Sequence, residues 1–141
     1  MSGVEAFNLA CSVMQTIQFA CDVTKLCKAI YQTGKVEPGL SENASLLGTV
    51  SLEMLKQYDA MTPKTAGEKN LVSVAEKCKK AANGLEEEVK FLQAGAKKGD
   101  LIATLCVAAK VTWRKRRLER FEKSLDDSRR TMETYLLVRV W

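Results

Sequence analysis

The chain has 141 residues, 46% apolar and 28% charged, a globular composition long enough for one domain with a real core. It contains no histidine, which removes the commonest general acid–base and zinc-ligand chemistry. The net charge of +5 sits at one end: residues 97–141 hold 12 Lys/Arg against 6 Asp/Glu, while residues 1–96 hold 10 against 11. Such an excess suits an anionic membrane, nucleic acid or an acidic protein surface, or simply solvates a helix face.

Good helix formers dominate, and two prolines and eight glycines interrupt them. Ser2 and Glu5 stand at capping-box spacing and predict a first helix over 3–32, closed by Gly34. Within it, "AFNLACSVMQTIQFAC" (residues 6–21) passes without a charge. At about 1.5 Å per residue it reaches roughly 24 Å, short of the ~30 Å hydrocarbon core of a bilayer. It lacks the positive leading region of a signal peptide, since the only charge before it is Glu5. Val4, Phe7, Cys11, Met14 and Cys21 are expected on one side, with Leu9, Val13, Ile17 and Ala20 widening it. A helix apolar nearly all round is central in a bundle or destined for lipid.

A second helix is expected over 42–59, with Ser41 as N-cap and "MTP" as its stop. Its seam is Leu40, Ala44, Leu47, Ser51, Met54 and Tyr58. Thr65 and Glu68 form another capping box and open a third helix over 66–94. There Leu71, Ala75, Cys78, Ala82, Leu85, Val89 and Leu92 repeat at alternating spacings of four and three, passing Gly84 without a phase change. "AGAKKGD" (94–100) reads as a loop, with Asp100 capping a fourth helix over 101–137. The fourth seam is Leu118, Phe121, Leu125, Ser128, Met132 and Tyr135, with Lys115–Glu119, Glu119–Lys123, Asp126–Arg130 and Arg129–Glu133 as i,i+4 pairs. Four long helices joined by short loops predict an all-α, antiparallel four-helix bundle in a single domain.

The five cysteines, Cys11, Cys21, Cys27, Cys78 and Cys106, are odd in number and show no C-x-x-C. They read as small hydrophobes in a reducing, cytosolic protein. No phosphate-cradling glycine loop, G-x-S-x-G or paired metal ligands occur, so neither a cofactor nor an enzyme activity is expected. "EEE" at 86–88 reads as a solvated face, because successive helical residues point about 100° apart. The basic run "KVTWRKRRLER" (110–120) offers Arg114, Lys115, Arg116, Arg117 and Arg120 to anionic lipid headgroups, or else pairs and solvates the helix. Nucleic acid is disfavoured by the lack of a helix-turn-helix pattern and the few exposed aromatics.

Four segments in order carry a family resemblance: "SGVEAFNLACSVMQTIQFACDVTKL", a Leu-rich second helix, "AEKCKKAANGLEEEVKFL" around Cys78, and "WRKRRLERFEKSL" with Trp113 five residues before Leu118. From residue 2 to about 137 the chain resembles the HeLo-like N-terminal domain of fungal STAND/NLR-type proteins. The resemblance implies a membrane-targeting effector of innate immunity, programmed cell death and heterokaryon incompatibility. It is expected to be cytoplasmic at rest and recruited to anionic membrane lipids on activation. Self-association and a downstream nucleotide-binding oligomerisation domain are the implied partners. By position, the membrane-active element runs from Ser2 to about Tyr31, with Glu5, Phe7, Leu9, Val13, Met14, Ile17 and Phe19 as its inserting residues. The alternative is a scaffold module that binds protein partners through a bundle face and never meets lipid.

Overall fold

The computed structural model describes residues 3–34, 38–63, 65–97 and 108–140. Among these residues the chain is an all-α four-helix bundle of α1 (Gly3–Thr33), α2 (Leu40–Ala60), α3 (Ala66–Lys97) and α4 (Ala108–Val140). α1 and α3 each pack against the other three helices, and α2 and α4 take the flanks. Cross-helix contacts give the directions. Ser12 meets Gln57 between α1 and α2, Cys21 and Lys28 meet Arg129 and Glu122 between α1 and α4, and Gly84 and Glu88 of α3 meet Phe121 and Arg114 of α4. Helices adjacent in sequence therefore run antiparallel, the up-down-up-down arrangement.

The helix ends follow local chemistry. Gly34 adopts a left-handed φ of 70° and its N–H donates to the Ile30 carbonyl at 2.8 Å, an αL cap. The Thr65–Glu68 capping box is reciprocal: Thr65 N–H donates to Glu68 Oε2 at 3.0 Å, and Glu68 N–H donates to Thr65 Oγ1 at 3.1 Å. α2 stops at Ala60, and Met61 is already extended two residues before Pro63.

Three boundaries differ from the sequence expectation by two residues or more, one of them the end of α4, which runs to Val140 rather than stopping at 137. α2 begins at Leu40 rather than Glu42, because Gly39 takes a φ of 88° and serves as N-cap in place of Ser41. α3 continues to Lys97, three residues beyond the expected stop, because it runs through Gly95, whose cost of about 1 kcal/mol in a helix interior does not end it. The expected caps Ser2 and Asp100, Cys106 and the first turns of the expected fourth helix (101–107) lie outside the described residues.

The core is assembled from the inward face of α1 and the seams of α2, α3 and α4. Leu71, Ala75, Cys78, Ala82, Leu85, Val89 and Leu92 of α3 are all buried, as are Leu118, Leu125, Ser128 and Met132 of α4 and Leu40, Leu47, Ser51 and Met54 of α2. Each large apolar side chain there contributes roughly 1.5–3 kcal/mol. Glycine matters at one crossing: a Cβ on Gly84 would stand 2.3 Å from Cζ of Phe121, so the ring rests on bare α3 backbone.

Candidate functional site

α1 is the element that the sequence singles out, and its faces are not where side-chain type alone places them. The inward face is Ala6, Leu9, Ala10, Val13, Ile17, Ala20, Val23, Cys27 and Ile30, each at most 1% exposed. Two polar residues join it because each satisfies its hydroxyl on its own helix. Thr16 Oγ1 donates to the Ser12 carbonyl at 2.8 Å, and Thr24 Oγ1 to the Ala20 carbonyl at 2.7 Å. Ser12 also turns inward and donates to Gln57 Oε1 of α2 at 2.7 Å.

The expected leading stripe faces outward instead. Val4 is 64% and Phe7 58% exposed, Cys11 is exposed, and Met14 and Cys21 are half-buried. Of the seven candidate inserting residues, Leu9, Val13 and Ile17 are in the core, Met14 and Phe19 at its margin, and Glu5 and Phe7 in solvent. The N-terminal half of α1 thus shows apolar side chains both to the core and to solvent. Cys27 and Cys78 are buried as expected, and burial pushes both thiols up to about 12. Burial likewise raises Cys21, against the opposing pull of Arg129.

The basic run on α4 is divided. Arg116 and Arg120 are exposed and Lys115 is half-buried, whereas Arg114 and Arg117 turn onto α3. Arg114 Nη1 donates to Glu88 Oε2 at 2.8 Å, and Arg117 Nη2 to Glu87 Oε2 at 2.9 Å. The Arg114 guanidinium also lies 3.5 Å from the centre of the Phe91 ring, a cation–π contact. Two of the five candidate lipid-contact residues are therefore committed inside the bundle.

Glu86 and Glu87 are exposed, as a solvated face requires, but Glu88, the acceptor of Arg114, corrects that reading. Glu88 is fully buried. Its Oε1 accepts from the Tyr31 hydroxyl of α1 while its Oε2 accepts from Arg114 of α4, so one carboxylate clasps three helices. Burial and the adjacent Glu88 hold the Tyr31 hydroxyl protonated, far above the ordinary phenol range. The sequence does carry a trace of this clasp. Val74, Ala81 and Glu88 recur every seven residues beside the main α3 seam, and all three are buried.

A second surface forms between α3 and α4. Lys77 and Lys80 on α3 face Arg117, Arg120 and Lys123 on α4 across an open trough. A third groove, of about 440 Å³, runs between α2 and α3 over Leu47, Leu55, Leu85 and Val89. Among the described residues no group of three His, Cys, Asp or Glu stands together to hold a metal ion, and no helix is long and apolar enough to cross a membrane. No family model, curated protein or solved structure matches this chain.

Proposed function

We propose that the bundle is a membrane-directed effector domain of the kind that heads fungal STAND/NLR-type receptors. On this reading it serves programmed cell death by self-associating and delivering α1 to anionic membranes. One observation supports it most: the N-terminal half of α1 is apolar on two opposite faces, with Leu9, Val13 and Ile17 inside and Val4 and Phe7 outside. The outer stripe meets the lipid interface first, and the inner stripe follows once assembly offsets its loss from the core. Because no described helix is suited to cross a bilayer alone, α1 lies along the interface, where amphipathic helices settle about 5–10 Å deep.

The test uses the outer stripe. Ile17 is 1% exposed, so an acid there breaks the bundle before it reports on lipid. Phe7→Asp changes an exposed position and leaves folding stability within about 0.5 kcal/mol. Leakage of phosphatidylserine vesicles induced by the variant should fall several-fold while its thermal midpoint stays put. Undiminished leakage would remove α1 from the membrane-active role.

A protein-binding scaffold is the second reading. It is favoured by Leu52 (64% exposed) and Leu46 (41%) on α2, Leu52 on the rim of the α2–α3 groove. Absence of vesicle flotation at low salt, where surface charge is least screened, would select it.

A further inference from the structure

The trough between α3 and α4 is where the unspent positive charge of the bundle collects. It is a continuous opening, since its upper part, of about 580 Å³, and its lower part share Lys77, Arg120 and Ser124. Five basic side chains line it against two carboxylates, Glu87 and Asp127. Glu87 is already engaged by Arg117 at 2.9 Å. Lys77, Lys80, Arg120 and Lys123 form no ion pair among the described residues and are all exposed. Four free cations therefore face one another from two rims.

We infer that this trough is a binding site for a compact, multiply phosphorylated ligand. Geometry sets the size of that ligand. Arg117 to Lys123 spans six residues of helix, about 9 Å at 1.5 Å each, and packed helices lie about 8–10 Å apart. The cations thus occupy a patch about as wide as it is long. Glu87 stands at one end and Asp127 at the other, so a polyanion that continued in either direction would meet a carboxylate. That pattern selects a short cluster of phosphates over the uninterrupted backbone of a nucleic acid, and over a single anion that four cations would overmatch. The ligand type fits the donors as well: guanidinium forks grip phosphate oxygens in pairs, and ammonium groups act as point charges. Phe121, seated on Gly84, lets α3 and α4 approach closely enough for both rims to share one opening.

The chemistry has two sources, a soluble polyphosphate or a phosphorylated lipid headgroup. Calorimetry of the full chain with inorganic tripolyphosphate, without vesicles, tests the site whichever way the leakage experiment falls. Lys77→Gln with Arg120→Gln should weaken binding about tenfold or more, at about 1 kcal/mol per cation. Lys56→Gln with Lys90→Gln removes the same charge away from the trough and should change affinity less than twofold. Flotation with vesicles carrying phosphatidylinositol bisphosphate then assigns the source. Binding lost in the trough variant points to the headgroup, and tripolyphosphate binding without flotation points to a soluble ligand. Equal losses in the two double variants would reduce the site to diffuse charge and overturn it. Duplex DNA binding as tightly as tripolyphosphate would overturn the ligand class.

Discussion

The two halves of α1 belong to one continuous helix but are held in different ways. From Gly3 to about Ile17 the inward side chains are held mainly by apolar contact, and among the described residues one side-chain hydrogen bond, Ser12 to Gln57, ties the helix to α2. The opposite face leaves Val4, Phe7 and Cys11 in solvent. From Ala20 to Thr33 the packing is reinforced by polar ties to two other helices: Tyr31 to Glu88, Lys28 to Glu122 at 3.3 Å, and Arg129 to Cys21 at 3.3 Å. Apolar contact is non-directional and is regained wherever another apolar surface is offered, lipid included. A buried hydrogen bond to a carboxylate is directional, and separating its partners while either stays buried costs about 1–3 kcal/mol, so it fixes them in place. Any detachment of α1 therefore starts at its N-terminus and meets its main resistance at Tyr31.

The largest test of that contrast is Glu88→Ala. It strands Arg114 and the Tyr31 hydroxyl, and breaking a buried pair costs about 3–5 kcal/mol; the lower end applies because the Arg114 side chain is 19% exposed. Urea unfolding should register that loss, and a change below about 1 kcal/mol would mean the clasp does not distinguish the halves. Alkaline pH acts next. Cys27 and Cys78 titrate near 12 in the fold against 9.0 in the free chain. Their native pKa values are raised, so the folded state keeps protons that the unfolded state releases. Stability is full below about pH 9 and falls as pH rises, by about 1.4 kcal/mol per thiol at pH 10. The urea midpoint at pH 8 and pH 10 reads this directly, and an unchanged midpoint would contradict the burial of the thiols. Smallest is Tyr31→Phe, which removes one hydrogen bond and costs about 1–2 kcal/mol. Amide exchange should then quicken over residues 24–31 toward the rate of residues 6–14. If the two segments exchange alike before the substitution, the asymmetry is not real.

How much of this was legible in the sequence depends on the helix. The α2, α3 and α4 seams were readable, with Ala44, Tyr58, Phe121 and Tyr135 half-buried at the core margin and the rest inside, because each sets one apolar stripe against charged neighbours, and a period shows only against such contrast. α1 offers no contrast over residues 6–21. Burial there was decided by which polar residues could satisfy themselves, and Ser12 and Thr16 turned inward where Val4 and Phe7 did not. Glu88 was missed for a different reason. Its partners lie 57 and 26 residues away in the chain, and neither Tyr31 nor Arg114 announces the pairing locally. The same pairing halves the meaning of the basic run. Arg114 and Arg117 looked like surface charge, yet they are spoken for within the bundle, while Lys77 and Lys80, on another helix, complete the cationic surface.

Glu88 also constrains the order in which the molecule comes together. During synthesis its carboxylate emerges before its two cationic neighbours, Arg114 at 2.8 Å and Arg117 at 3.8 Å, and both of them come from α4. Until α4 arrives, an ionised Glu88 has to stay in water, which prevents α1 and α3 from sealing against each other at that level. The three leading helices can associate loosely, but the end of the bundle around Tyr31 closes only when the last one docks.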